Sequence, residues 1–225
     1  AEFIYENDDL IVANKPAGIP VDGDEADTLL NRVLRRLYEE KRWDAVHEPR
    51  LCHRLDTGTS GLVIIAKTPE AEELFLAAIK NRDVQKTYLC VTFGRPVPPD
   101  ATLGGYLLKD ADRGIVKIVP DKQPGAKDVE TQYETVAVSG RLALLKVRLI
   151  TGRTHQIRVH MAYIGHPILG DMVYGRKKPE LGQSSQCLHA GALCFRHPRD
   201  GHPVMVFAEL PQYFRDVLDK LEKMK

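Results

Sequence analysis

The chain has 225 residues, 43% of them hydrophobic, which is enough to bury a core as one large domain or two small ones. Its formal net charge is only +1, so bulk composition does not indicate a protein that neutralises many phosphates. No apolar run approaches the ~20 residues of a membrane-crossing helix. The first residues also lack the basic and apolar segments of an export signal. We therefore expect neither a membrane protein nor a secreted one.

The four cysteines are scattered along the chain, and none forms the close pair that zinc sites use. This spacing predicts reduced, mostly buried thiols in a cytoplasmic protein. The residues are Cys52, Cys90, Cys187 and Cys194.

The charge is unevenly distributed. Between residues 141 and 178 there are eight cations and a single acid, Asp171, whereas acids are concentrated at 22–27 and 70–73. Such a segment is typical either of a one-sided basic face or of an ordinary solvated surface. The cations are Arg141, Lys146, Arg148, Arg153, Arg158, Arg176, Lys177 and Lys178.

Strand-forming segments dominate the chain and are separated by turn residues in the manner of hairpins. The apolar run that ends at Ala66 is typical of a strand buried on both faces. Lys15, at the end of the first hairpin, either presents its ammonium group to an anion or is simply solvated. Residues 43–52 and 96–105 show no regular period and are read as connections. Strands are predicted at 4–15 (as a hairpin), 63–66, 86–94, 115–119, 131–138, 143–150, 187–195 and 204–208.

Four segments have the apolar periodicity of helices. Asp27 is placed to cap the first helix, and Thr154 to cap the third, which Gly165 would end. Many hairpin strands and few helices indicate an α+β fold, with an antiparallel-rich mixed sheet flanked by helices and loops. The helices are predicted at 27–42, from 69 or 70 onward, at 154–165 and at 212–224.

The most informative stretch, residues 53–62, reads HRLDTGTSGL and leads directly into the buried strand. Asp56 lies among cationic residues and groups that donate hydrogen bonds, and both favour the ionised carboxylate. Such an anion can act as a nucleophile or a base. The alternative is that Asp56 merely caps the turn at Thr57 and Gly58.

This stretch, followed by VIIAKT, resembles the signature of the RluA-type family of pseudouridine synthases. The resemblance implies that Asp56 is the catalytic residue of an enzyme that isomerises uridine in structured RNA. It also implies that Arg54 enters the RNA where the target base has flipped out. We assign His53 of the same motif to RNA contact as well.

Two further motifs carry the same resemblance. The strand KTYLCVTF resembles the family's second motif, so Tyr88 would stack on the target uracil instead of serving only as a packing residue. The sequence GRTHQIRVH matches the third motif, whose second arginine pairs with the catalytic aspartate, and that residue is Arg158. The first arginine, Arg153, is assigned to RNA contact. The segment GHPILGDMVYG completes the pattern, and its Gly and Pro residues are expected to set turns.

The resemblance implies a pseudouridine synthase catalytic fold over residues 1–225, expected as one domain without an additional amino-terminal RNA-binding module. The implied partner is a structured RNA, such as a ribosomal or transfer RNA stem-loop, and we expect a cytoplasmic monomer without a cofactor or metal. His155 and His160 lack both the spacing of a zinc helix and a third ligand, so we expect structural or RNA-contacting roles.

Two other functions remain open on the residues alone. A glycoside or nucleoside hydrolase would usually need two carboxylates at a fixed separation, and only one acid stands in a motif. A non-catalytic RNA-binding module would use the basic segment 141–178. For the enzyme, Asp56 would either attack the anomeric carbon or take a proton from the neighbouring carbon to leave a glycal.

Overall fold

The computed structural model describes residues 2–223, and these residues form four helices and thirteen strands. The helices are α1 (Leu29–Glu39), α2 (Pro69–Lys80), α3 (Gln156–Tyr163) and α4 (Gln212–Lys223). The strands are β1 (Glu2–Glu6), β2 (Leu10–Lys15), β3 (Arg50–Leu51), β4 (Ser60–Ala66), β5 (Val84–Phe93), β6 (Asp100–Leu103), β7 (Tyr106–Asp110), β8 (Ile115–Val119), β9 (Lys127–Asp128), β10 (Thr131–Ser139), β11 (Leu142–Leu149), β12 (Leu188–Arg196) and β13 (Pro203–Phe207). This confirms the α+β class.

The chain divides into two compact units, each built from two separate stretches of sequence. Unit 1 contains the residues up to Gln85 together with Ala190–Glu209. Unit 2 contains Lys86–His189 together with the residues from Leu210 onward. Each unit is therefore completed by a segment that lies far away in the sequence.

The sheet of unit 1 has the strand order β1-β2-β4-β12, and β13 pairs with β12. The predicted amino-terminal hairpin is present as β1 and β2. Every residue of β4 is buried, as its continuous apolar sequence predicts. β2 and β4 are antiparallel, with Leu10 opposite Ala66 and Lys15 opposite Gly61. This register places Lys15 at the end of β4 where the HRLDTGTSGL motif enters the strand.

A hydrophobic core covers one face of this sheet. Helix α2 packs Ala71, Phe75 and Ala78 against apolar residues of β2, β4, β12 and β13. The ring of Phe75 meets that of Phe195 edge to face, with centroids 5.6 Å apart. Burying such large side chains contributes about 1.5–3 kcal/mol each, so the core fixes β4 firmly.

Helix α1 begins one residue later than the capping prediction requires. Thr28 is the N-cap, and its Oγ1 accepts the N–H of Asn31 at 3.0 Å. Asp27 instead forms a solvent-exposed ion pair with Arg32. The prediction of Asp27 as the cap was wrong because both residue types cap well and the buried position of Leu29 sets the register.

Unit 2 contains a sheet segment in the order β5-β11-β10-β6 and a separate three-stranded sheet in the order β8-β7-β9. The predicted hairpin through Ser139 and Gly140 is present as β10 and β11. Strand β5 is antiparallel to β11, with Tyr88 opposite Val147. The sequence predicted β8 but missed β6, β7 and β9, which lie in segments where Pro, Gly and charged residues obscure the alternation.

Helix α3 starts in a way that the sequence did not predict. Its N-cap is His155, in the left-handed conformation with φ 56°, and no side chain caps it. Thr154 is therefore not the cap. Instead, Gln156 Oε1 accepts hydrogen bonds from the Thr151 hydroxyl at 2.8 Å and from the Arg153 N–H at 3.0 Å. Since a long amide side chain ties the preceding loop to the helix, a hydroxyl cap is not needed.

Helix α4 buries one apolar face in unit 2, formed by Phe214, Val217 and Leu221. The hydroxyl of Ser139 donates to the carbonyl of Leu221 at 2.7 Å, which ties the helix to the hairpin turn. This confirms the predicted amphipathic helix. Its predicted end at Met224 lies outside the described residues.

The cysteines match their prediction within the described chain. Cys52, Cys90 and Cys187 are buried, Cys194 is half-buried, and all four are free thiols. Burial raises the pKa of Cys52 and of Cys187 to about 12, so these thiols are unreactive at neutral pH. Between residues 2 and 223, no helix combines the length and the apolar character that crossing a bilayer demands.

Candidate functional site

The loop that carries Asp56 is held in a tight turn directly before β4. The N–H of Thr59 donates to the Asp56 carbonyl at 2.9 Å, and Thr59 and Ser60 are buried where the strand begins. Asp56 itself is half-buried. A carboxylate in this position is anchored by a buried strand on one side while it stays partly accessible to a ligand.

Lys15 is buried completely beside this loop, so the solvated alternative was wrong. Its ammonium group donates to the carbonyls of Pro16 at 2.9 Å, Ile19 at 2.7 Å and Thr57 at 3.1 Å. The Thr57 carbonyl also accepts the N–H of Gly18 at 2.8 Å. Lys15 therefore ties the segment after β2 to the residue that follows Asp56.

Lys15 also interacts electrostatically with Asp56. Burial lowers the pKa of Lys15 to about 8, and attraction by the Asp56 carboxylate opposes part of that shift. This arrangement is hard to predict from the sequence, because a lysine at a strand end is usually exposed. Its neighbours Pro16 and Gly18 were the available signal.

Arg54 forms a bidentate ion pair with Asp22, at 2.8 and 2.6 Å, while its side chain remains 63% exposed. The arginine lowers the pKa of the Asp22 carboxyl. An exposed pair of this kind contributes about 0–1 kcal/mol, so Arg54 can exchange it for another anion at small cost. In the sequence, Asp22 is distinguished only as a member of the acidic segment 22–27.

His53 is hydrogen-bonded to the buried strand β4, beyond its midpoint. Its Nε2 accepts the N–H of Ile64 at 2.9 Å. Because this nitrogen accepts, the proton of a neutral ring is on Nδ1. The imidazole thus takes part in the backbone hydrogen bonding of β4.

Tyr88 is a buried residue of β5 and is 5% exposed. Successive side chains of a strand point to opposite faces of the sheet, and Tyr88 is paired with Val147 of β11. The sheet of unit 2 therefore fixes the backbone position of Tyr88.

Arg158 lies in the first turns of α3 and forms a buried, bidentate ion pair with Asp171. Its Nε donates to Asp171 Oδ2 at 2.7 Å and its Nη2 to Oδ1 at 3.0 Å. The two side chains are 7% and 0% exposed. A cation near the start of a helix gains nothing from the helix dipole and needs a partner anion. Asp171 is such a partner for Arg158, and this contact was not predicted from the sequence.

The rest of the GHPILGDMVYG segment holds Asp171 in place. Its Oδ1 accepts the N–H groups of Val173 and Tyr174, both at 3.0 Å. Burial by itself would raise the pKa of Asp171. The Arg158 pair and the two amide groups outweigh burial and keep that pKa below its ordinary value.

Two glycines of this turn have no room for a side chain. A Cβ on Gly170, which has φ +84°, would lie 2.2 Å from the carbonyl oxygen of Ser185. A Cβ on Gly175 would lie 2.7 Å from the carbonyl oxygen of Asp171. The predicted turn-setting role of these glycines is confirmed, since close backbone contacts exclude other residues.

Tyr174 connects this turn to two other elements. Its ring lies 5.2 Å from the guanidinium carbon of Arg158. Its hydroxyl accepts the N–H of Val116 at 3.0 Å and contacts His155 Nδ1 at 2.7 Å. The guanidinium of Arg158 is therefore paired with the Asp171 carboxylate, and it also lies over the ring of Tyr174.

The other predicted RNA contact in unit 2, Arg153, is half-buried. Its Nη2 donates to Asp128 Oδ1 at 3.0 Å, and its Nε donates to the carbonyl of the same residue at 3.2 Å. Asp128 is exposed, so this pair is accessible to solvent. The eight cations of residues 141–178 thus do not form one free basic face, because Arg158 is buried and Arg153 and Arg176 have acidic partners.

The histidines of α3 have protein partners. His160 is buried, with Nδ1 2.8 Å from the Thr131 hydroxyl and Nε2 3.0 Å from the Gly104 carbonyl. Burial lowers the pKa of His160, which favours a neutral ring. His155 contacts Tyr174, as described above.

One group of potential metal ligands is found in the described chain, in the turn before β13. It consists of His197, Asp200 and His202. The ring nitrogens of His197 already have partners, since Nδ1 accepts the Arg199 N–H at 3.1 Å and Nε2 lies 3.2 Å from Asp9. His202 Nδ1 contacts Asp200. Hydrogen bonding within the turn accounts for this cluster.

The predicted site residues fall into two groups. His53, Arg54 and Asp56 share one loop of unit 1, where Lys15 and Asp22 join them. In unit 2, Arg153 and Arg158 flank the start of α3, and Tyr88 lies on β5. The pairing of Arg158 with Asp56 stays a prediction.

Comparison with known proteins agrees with this fold and with these motifs. The family described as RNA pseudouridylate synthase matches residues 9–163. An RNA pseudouridine synthase of Bacillus subtilis is 34% identical over 99% of this chain and 73% of its own length. The ribosomal large subunit pseudouridine synthase D of Zymomonas mobilis is 35% identical over 94% of this chain and 69% of its own length.

A solved structure shares the fold. Human RNA pseudouridylate synthase domain containing 4 superposes with a TM-score of 0.82 and is 26% identical, covering 98% of this chain and 92% of that one. The fold is therefore that of the pseudouridine synthases. The chain belongs to the RNA pseudouridine synthase family and is an isomerase of that class.

Proposed function

We propose that this enzyme converts specific uridines of a structured RNA to pseudouridine, with Asp56 as the catalytic residue. The observation that carries the proposal is the structure of the Asp56 loop. The half-buried Asp56 carboxylate lies just before the fully buried strand β4, and Lys15 donates a hydrogen bond to the carbonyl of Thr57, the residue after Asp56. The name of the relative from Zymomonas mobilis favours ribosomal RNA of the large subunit as the substrate. A transfer RNA is the second candidate.

The reaction breaks the bond between the ribose anomeric carbon and N1 of uracil and forms a bond from the same carbon to C5. The proton on C5 is lost and N1 gains one, so the step needs no net co-reactant. The enzyme must supply an anion near the sugar and a pocket that retains the detached base. Asp56 would either attack the anomeric carbon or remove the proton of the neighbouring carbon.

Arg158 and Tyr88 have the complementary roles in this proposal. The guanidinium of Arg158 would pair with the Asp56 carboxylate and orient it toward the sugar. Tyr88 would hold the uracil ring by stacking, an interaction worth about 1–3 kcal/mol per base. Both are buried side chains on regular elements, which suits groups that must be precisely placed.

Base flipping in this proposal is assisted by Arg54. Extruding a nucleotide costs a few kcal/mol, and a side chain that fills the vacated stack offsets part of it. Arg54 is exposed and its Asp22 pair is solvent-accessible, so it can transfer from Asp22 to RNA phosphates or bases. His53 and Arg153 would also contact the RNA. We further propose that both units serve one catalytic domain, active as a cytoplasmic monomer.

The proposal is tested by mapping pseudouridines in total RNA from cells with and without this protein. We expect at least one site to be present only when the protein is made. Purified protein should form the same pseudouridine in RNA from the deficient cells. Release of free uracil without pseudouridine would indicate a hydrolase instead. RNA binding without any new pseudouridine would favour the non-catalytic module.

A further inference from the structure

The GDMVYG turn, residues 170–175, places the buried carboxylate of Asp171 against the guanidinium of Arg158. Asp171 binds the guanidinium through both oxygens, and the side chain of Asp171 is 0% exposed. The turn is fixed by the two amide bonds to Asp171 Oδ1 and by the close packing of Gly170 and Gly175. Neither partner can therefore move without breaking several contacts.

Such a pair has little value for stability alone. Removing two charges from water costs several kcal/mol per ion, and packed apolar residues of similar volume are often as stable or more so. A bidentate pair does confer geometry, since two parallel hydrogen bonds fix the plane and direction of the guanidinium. The Asp171 contact uses Nε and Nη2, so it determines where Nη1 points.

We propose that Asp171 is a positioning residue, which holds Arg158 in the orientation that the catalytic carboxylate requires. Tyr174 assists by packing its ring on Arg158 while its hydroxyl is anchored to Val116. The inference rests on the proposed function, because it assigns to Arg158 a role toward Asp56. The pair depends on the charge of Asp171 and on both of its acceptor oxygens, so asparagine, which lacks the charge and one acceptor, should not replace Asp171.

The test uses the full chain and the RNA substrate found by mapping. Asp171→Asn should lower the rate of a single turnover about 10- to 100-fold, as expected for a misplaced active-site group. The affinity for RNA should stay within twofold of the wild type, because Asp171 is buried. Asp171→Glu, which keeps the charge, should be faster than Asp171→Asn. The matched control Asp219→Asn, at an exposed position of α4, should match the wild type.

A double mutant separates positioning from general destabilisation. If Asp171 acts only through Arg158, Asp171→Asn should slow the Arg158→Met enzyme by less than twofold. If Asp171→Asn alone does not fold, a second double variant is used, which carries both Arg158→Met and Asp171→Leu and so has neither buried charge. Its rate is compared with that of Arg158→Met alone. Equal rates again support the inference.

Four results would overturn the inference: a wild-type rate for Asp171→Asn, a loss confined to RNA affinity, losses that multiply in the double mutant, or full activity of Arg158→Met. In each case, an inactive Asp56→Asn enzyme would leave the proposed function intact. A wild-type protein that makes no pseudouridine would remove both. Failure of the positioning role of Asp171 is therefore distinguishable from failure of the proposed function.

Discussion

At the scale of single residues, two buried charged side chains support the proposed chemistry, and each unit contains one of them. Lys15 fixes the residue after Asp56, and Asp171 fixes Arg158. Both charges are costly to bury, so their contacts must be extensive. Lys15 meets three carbonyls, and Asp171 meets a guanidinium and two amides.

Lys15→Met should impair catalysis by loosening the Asp56 loop. The change removes the donor to the Thr57 carbonyl and the cation that attracts Asp56. We expect kcat to fall about 10- to 100-fold while KM for RNA changes little. The control is Lys67→Met, which removes an ammonium group bound to the Asn7 carbonyl and Glu6, past the other end of β4. Equal kcat losses in the two variants would contradict a specific role for Lys15.

The Asp171 pair predicts a defined dependence of stability on pH. The folded pKa of Asp171 lies below the ordinary value of 3.8, so its stabilisation is complete above that pH and is lost as the pH falls below it. The difference in melting temperature between wild type and Asp171→Asn should therefore narrow below pH 3.8. Calorimetry between pH 3 and 7 measures it. A difference that stays constant or widens on acidification would argue against an ionised Asp171.

At the scale of elements, the predicted strands were mostly right where apolar side chains alternate or run continuously. β4, β8 and the β10–β11 hairpin follow from such patterns, because burial of an apolar face fixes register. Helix starts were less predictable. Asp27 and Thr28 are neighbours that are both favoured N-cap residue types. In α3, the side chain that binds the preceding loop is Gln156, which lies inside the helix.

The last glycine of the central motif has a packing role that its sequence alone does not reveal. Gly61 has φ +126°, and a Cβ there would lie 2.2 Å from the carbonyl oxygen of Ala190. Gly61→Ala should destabilise the protein by at least about 3 kcal/mol, because strain and a backbone clash add together. This corresponds to a fall of roughly 6–12 °C in melting temperature.

Gly104→Ala provides the control for this prediction. A Cβ at Gly104 meets nothing within 4 Å, and its φ is not in the left-handed region. That change should shift the melting temperature by no more than about 4 °C. If Gly61→Ala and Gly104→Ala have the same melting temperature, the close contact with Ala190 does not explain why the motif has glycine at position 61.

At the scale of the whole molecule, the motifs of the sequence single out individual residues as predicted site residues, whereas they do not predict which side chains those residues contact. The motif pattern singled out Asp56, Tyr88 and Arg158 from the sequence. Asp171 was visible as the single acid among eight cations, yet its partner could not be chosen without the turn that carries it. The division into two units was also hidden, since residues 190–209 belong with the amino-terminal part of the chain.

The most direct test of the central claim is pseudouridine formation by Asp56→Asn. Cells that lack the protein would receive the wild type, Asp56→Asn, or the exposed control Asp216→Asn, and pseudouridine at the mapped site would be quantified by mass spectrometry. We predict full modification with the wild type and the control and none with Asp56→Asn, while purified Asp56→Asn binds the RNA nearly as tightly as the wild type. Normal modification by Asp56→Asn would show that this carboxylate does not carry the reaction.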